Sequence, residues 1–166
     1  MKKLITMGIF AMLPGLFPCQ ANADTNVVRS DKGFTTTLDI NNFKWTRQPE
    51  SCVIKGDTIE VVTKPCTDLW QRTYYHFRND NAPVFQMETE EKFFSFIVKT
   101  DFTESHHRFD QCGIVLYLDS DNWLKGSVEY ENEEFQHLGS VVTNNGYSDW
   151  ATTDILIGQQ RQFPPK

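Results

Sequence analysis

Two short segments, 111–119 and 123–131, constrain the fold more than anything else in the chain. Apolar side chains recur at every second position: Cys112, Ile114, Leu116 and Leu118 in the first, Leu124, Val128 and Tyr130 in the second, with Gly126 in step. A period of two belongs to a strand with one face buried. The residues between them, Ser120-Asp121-Asn122, are turn formers. The alternate positions, Gln111, Gly113, Val115 and Tyr117, then Trp123, Lys125, Ser127 and Glu129, build a mixed aromatic and polar face. The expectation is a sheet with an apolar core side and an outward side carrying rings and hydrogen-bonding groups.

The rest of the chain agrees. Further β-rich segments fall at 34–40, 52–63 (a hairpin turning at Gly56-Asp57), 72–77, 84–88, 92–102 and 137–144, separated by Asn, Asp, Gly and Pro. No stretch beyond the N-terminus carries a helical apolar stripe. Many short strands at near-regular spacing predict an all-β antiparallel sandwich or barrel. With 166 residues the chain is long enough for one domain with its own core. A net charge of −6 and a pI near 5.2 exclude a nucleic-acid binder that works by neutralising phosphates. A mean hydropathy of −0.46 excludes a multi-span membrane protein.

The N-terminus has the make-up of an address. Lys2-Lys3 precedes an apolar run from Leu4 to Phe17, and Ala21-Asn22-Ala23 offers small residues before a cut. Residues 1–23 are expected to be a bacterial secretory signal peptide, with the protein exported to the periplasm or cell exterior and touching membrane only through that segment before cleavage. Residues 24–157 would form the domain and 158–166 a tail. Three cysteines lie beyond the leader. Cys52 and Cys66 flank a hairpin-like segment and are the candidates for a disulfide, worth about 3 kcal/mol in the chain-entropy model. Cys112, inside an apolar strand, is expected to be a small buried hydrophobe. Histidine and cysteine spacings hold no metal pattern, and neither metal nor cofactor is expected.

The blocks TDLWQRTYYHFRNDNAP (67–83), RFDQCGIVLYLDSDNWLKGSVEYENEEF (108–135) and LGSVVTNNGYSDWATTDI (138–155) resemble domain of unknown function 1349, whose members are described as regulation-of-enolase-like. The resemblance covers about residues 27–157. It implies a concanavalin A-like lectin/glucanase fold, a jelly-roll sandwich of two curved antiparallel sheets. Two departures stand out. The family carries a few more strands after the SDW motif, whereas this chain passes into GQQRQFPPK, so a C-terminally truncated member, or one completed by another chain, is expected. His76 stands where the family position looks glycine-like.

Within that fold the mixed face suits a hydroxyl-rich ligand, since rings cover the C–H side of a sugar and polar groups take its hydroxyls. The expected ligand-binding set is Trp70, Arg72, Gln111, Tyr117, Lys125, Glu129, Asp149 and Trp150. The rings would stack, Arg72 and Lys125 would donate, and Glu129 and Asp149 would accept. Trp150 follows Ser148-Asp149 in a loop-like region and is the best exposed platform; each tryptophan is otherwise ordinary core material. The bland alternative for the face is a solvated surface of cross-strand pairs. Glucanases of the same broad fold use an E-x-D-x-E run, which Glu129, Glu131 and Glu133 imitate. Retaining catalysis needs carboxyl groups about 5–5.5 Å apart, whereas i, i+4 on a strand is about 13 Å, and Asn132-Glu133-Glu134 reads as a hairpin tip. The expected function is therefore a non-catalytic, carbohydrate-binding sandwich; a glycoside hydrolase-like enzyme and a regulatory protein-interaction module are the alternatives.

Overall fold

The computed structural model describes residues 5–12, 19–22, 39–56, 58–90, 93–94, 96–101 and 107–156. The described chain is all-β, every paired strand runs antiparallel, and it contains no α-helix. Asp39 caps a single 3-10 turn, Ile40–Asn42, by accepting from the Asn41 amide at 2.9 Å.

The larger sheet has seven strands. From one edge to the other they are β13 (Tyr147–Leu156), β12 (Phe135–Asn144), β11 (Asn122–Tyr130), β10 (Gln111–Asp119), β1 (Ile5–Met12), β8 (Val84–Thr89) and β3 (Lys44–Trp45). A second sheet orders β4 (Ser51–Lys55), β5 (Thr58–Val62), β2 (Cys19–Asn22) and β9 (Lys99–Asp101). A short hairpin joins β6 (Leu69–Gln71) to β7 (Arg78–Asp80).

Two cores hold these pieces together. Ile59 and Val61 of β5 pack on Phe85 of β8 and Cys112 of β10, with Phe43, Trp45, Phe96, Val128 and Tyr130 closing round them. Phe43 and Trp45 lie 5.2 and 4.9 Å from the Phe85 ring. This core joins the two larger sheets. On the opposite face of the seven-stranded sheet, Leu69 and Trp70 of β6 pack with Ala82, Val84, Val115, Trp123 and Val141. The β6–β7 hairpin is thus a partial lid over that face.

Several expected elements change shape. The 52–63 hairpin forms as β4 and β5, with Gly56 at φ +62° in the turn, a conformation open to glycine. Segment 72–77 is a loop instead of a strand: Arg72, Tyr74 and His76 all have positive φ, at 55, 64 and 62°. Left-handed backbone at non-glycine residues costs about 1–3 kcal/mol each, and alternating it with residues of negative φ breaks any ladder. Of the described residues in the strand expected across 92–102, only Lys99–Asp101 are paired as a strand. Trp150, expected in a loop, lies inside β13. Of the segment 34–40 only Asp39 and Ile40 are described, and the 158–166 tail lies outside the described residues. Cys52 and Cys66 are free thiols, so the expected bridge is not formed. Cys52 packs into the inter-sheet core, while Cys66 sits exposed in the turn before β6.

Candidate functional site

Register places the mixed face as the sequence implies. Tyr117 faces Trp123, Val115 faces Lys125, Gly113 faces Ser127 and Gln111 faces Glu129. On β12 the partners of Trp123, Lys125, Ser127 and Glu129 are Thr143, Val141, Gly139 and His137. On β13 these continue to Ser148, Trp150, Thr152 and Asp154. All of these side-chain positions share one side of the sheet.

That side is the covered one, which corrects the expectation of an outward wet face. Lys125 is 3% exposed, Gln111 5% and Glu129 9%. The opposite face, expected to be core, is buried only where the second sheet reaches it; Leu118, Leu124, Leu138 and Val142 are exposed. The physical reason is the β6–β7 hairpin. Its own apolar face needs Val115, Trp123 and Val141 as a floor, and in settling there it draws the neighbouring polar residues under cover.

Those polar residues are paired from within. Lys125 Nζ donates to Asp68 Oδ1 at 3.4 Å. Gln111 Nε2 donates to Glu129 Oε2 at 2.7 Å, and Ser127 Oγ donates to Gln111 Oε1 at 2.9 Å. One acceptor is left over: Glu129 Oε1 is buried and receives no hydrogen bond from the described residues. Such an atom calls for an outside donor. Burial pushes the Glu129 carboxyl up to about 7, with Lys125 and His137 pulling it back down. Burial also pushes the Lys125 ammonium below its ordinary value, against the pull of Asp68 and Glu129.

Beside Glu129 runs a chain of ion pairs. Arg108 meets Glu131 at 2.9 Å, Glu131 lies 3.5 Å from His137 Nε2, and His137 Nδ1 lies 3.0 Å from Asp154. Between the Lys125 row and the Glu129 row, the facing positions are Gly113, Ser127, Gly139 and Thr152. Of these small residues Gly113 and Ser127 are buried, Gly139 is half-buried and Thr152 is exposed. Trp150 leans over Gly139: a Cβ added there would stand 3.0 Å from the indole Nε1.

The other expected residues scatter. Trp70 is core: it is 8% exposed, and its indole donates to Thr73 O at 3.1 Å. Asp149 faces Val142 and so lies on the opposite side of the sheet. Tyr117 donates its hydroxyl to Asp80 at 2.8 Å; burial first, and that aspartate second, push the phenol up to about 12. Arg72 is at the far end of the face, donating to Gly146 O at 2.8 Å. The structure therefore gathers Gln111, Lys125, Glu129 and Trp150, and adds Asp68, Ser127 and His137, which the sequence reading did not single out. His137 could have been found by folding back the strands across the 131–134 turn. Asp68, 57 residues from Lys125, left no local trace. Glu133 is exposed in that turn, where the Asn132 side chain accepts from the Glu134 and Phe135 amides. The E-x-E-x-E run thus loses strand alternation before its last carboxylate. Among the described residues no cluster of His, Cys, Asp and Glu could hold a metal.

An all-antiparallel β protein with a buried acid–lysine–amide cluster on one sheet face is the class that these features define. The family model for "Protein of unknown function (DUF1349)" matches residues 45–162, and the chain belongs to that family. It is also similar to "Regulation of enolase protein 1" of Saccharomyces cerevisiae, 30% identical over 125 residues, or 75% of this chain. The chain matches 61% of that relative's length. No solved structure matches it significantly.

Proposed function

We propose that this chain is a non-catalytic carbohydrate-binding domain with a concanavalin A-like sandwich. Its site would be a shallow trough over the small residues between Lys125 and Glu129, roofed in part by Trp150. A pyranose ring would lay its C–H face against the Trp150 indole, which is 38% exposed. One of its hydroxyls would donate to Glu129 Oε1. The observation that carries the reading is the buried Glu129 Oε1, without a hydrogen-bond partner among the described residues, beside a row of small residues and an accessible ring. A sheet face lined by groups that already hold one another in place also keeps the ordering cost of binding low.

A hydrolytic reading has one observation behind it. A Glu129 carboxyl pushed up to about 7 holds its proton near neutral pH, as a general acid must. The carboxylates that act on it are both engaged, Asp68 by Lys125 and Glu131 by Arg108 and His137, so binding is the better-supported reading.

Both readings are tested on the purified full chain with an oligosaccharide panel, by calorimetry and by reducing-sugar release. Expected are saturable binding, a five- to tenfold weakening in Trp150→Ala, loss in Glu129→Leu, and no sugar release. A folded chain that binds none of the panel overturns the proposal, and release abolished by Glu129→Gln favours the enzyme.

A further inference from the structure

The β6–β7 loop presents a second group of rings that the trough does not use. Tyr74 is 82% exposed, Tyr75 48% and Phe77 43%. Tyr147, at the start of β13, is 61% exposed and lies under the Arg72 guanidinium at 5.3 Å. Tyr74 meets Tyr75 edge-on at 4.9 Å, and Tyr75 stacks with Phe77 at 5.7 Å. Exposed aromatics in such density are unusual on a loop that could have been polar.

The backbone beneath them is strained and firmly held. The left-handed residues Arg72, Tyr74 and His76 alternate with Thr73, Tyr75 and Phe77. The Arg72 amide donates to Phe77 O at 2.7 Å, and the His76 amide to Arg72 O at 2.6 Å. Trp70 anchors the loop from below through its bond to Thr73 O and an edge contact to Tyr75 at 5.6 Å. Gln71 Nε2 donates to Ser120 O, and Arg78 pairs with Asp121 at 2.7 Å, tying the loop to the β10–β11 turn. Arg72 Nη1 ties it to the β12–β13 turn at Gly146. Strain held at a surface where the rings point away from the core is a mark of a binding surface.

The chemistry of the patch selects its ligand. The residues at 72–77 and 145–147 include no branched aliphatic side chain; they offer ring faces, phenol edges and a guanidinium. Flat ring faces bordered by donors and acceptors match a chain of all-equatorial hexopyranoses, whose sugar rings show a C–H face and an equatorial rim of hydroxyls. We propose that the end of the domain formed by Tyr74, Tyr75, Phe77, Tyr147 and Arg72 is a glycan-binding surface distinct from the Glu129 trough. It shares the ligand class of that reading but none of its residues, so either can fail alone.

The test titrates cellohexaose, with maltohexaose as the curved counterpart, into the full chain by calorimetry, with hydrogen-exchange footprinting of the bound state. Cellohexaose is expected to bind, to protect 72–77 and 145–147, and to outcompete maltohexaose. Tyr74→Ala and Tyr147→Ala should each weaken it about five- to tenfold, while Tyr74→Phe, which keeps the ring, should stay within twofold of wild type. Tyr74 is mostly exposed, and an unchanged melting temperature confirms that the variants fold. Binding that survives the Tyr74→Ala/Tyr147→Ala double variant but is lost in Glu129→Leu overturns this surface and leaves the trough standing. The reverse pattern keeps this surface and overturns the trough. A folded wild type that binds neither hexasaccharide overturns both.

Discussion

Glu129 couples the buried cluster to pH. Its carboxyl is pushed from an ordinary 4.5 up to about 7 by burial. An acid whose folded pKa is the higher one holds its proton more tightly when folded. Its stabilisation is therefore fully present below about pH 4.5 and is lost as the pH climbs through 7. Between pH 5 and 8 the wild type should lose about 1–3 kcal/mol relative to Glu129→Gln, read from urea denaturation at each pH. Equal pH slopes for the two proteins would remove Glu129 as the source. Lys125 makes a complementary case. Replacing it together with its partner, Lys125→Met with Asp68→Leu, should change stability by no more than about 1 kcal/mol, because the cost of burying the ammonium offsets its pairing. Asp68→Ala should cost more, about 2–3 kcal/mol, since it leaves that ammonium buried with less to balance it.

At the strand level the sequence was legible wherever one face is buried along the whole length. The 111–119 segment is β10 residue for residue, and 123–131 is offset from β11 by one position at each end. Alternation identified the two faces of these strands but not which one lies inside. Leu124 and Leu118 looked like core and are half exposed, while Lys125 and Glu129 looked like surface and are buried. A period-two pattern specifies a partition; the element that covers each side, here a hairpin some 40 to 60 residues upstream, comes from tertiary packing. Aromatic density also misled at 72–77, where β-prone Tyr and Phe sit on left-handed backbone that the sequence does not signal. The close approach of β10 and β11 yields a sharper expectation. A Cβ on Gly113 would overlap the carbonyl oxygen of Gly126 and stand 2.7 Å from Ser127 Cα. Both obstacles are backbone, so Gly113→Ala should destabilise by about 3 kcal/mol or more and split the hairpin register. Gly56→Ala has open space around it and meets only the cost of a positive φ, about 1 kcal/mol. Thermal melts of the two variants side by side check the contrast.

For the molecule as a whole, the segment expected to be an export leader is also part of the architecture. Ile5–Met12 lies between two strands, with Thr6 facing both Tyr117 of β10 and Glu88 of β8, and Phe10 facing Gly113 and Val84. Cys19–Asn22 similarly lies between β5 and β9. A cut after Ala23 would carry both interior strands away. It would open four ladders, separating β8 and β3 from the rest of their sheet and β9 from β4 and β5. Unpaired interior edges leave backbone donors and acceptors without partners and invite pairing with other chains. A chain beginning at Asp24 should therefore melt at least about 10 °C below the full chain, and should show association in sedimentation. A synthetic peptide of residues 4–13, added in excess, should recover part of the loss, because it can fill the vacant slot with the same main-chain bonds. In the full chain the amides of residues 6–12 should exchange as slowly as those of β10. If they exchange within seconds while β10 stays protected, or if the shortened chain melts with the full one, residues 5–12 are dispensable to the sheet, and β8 and β10 must be held by the two cores alone.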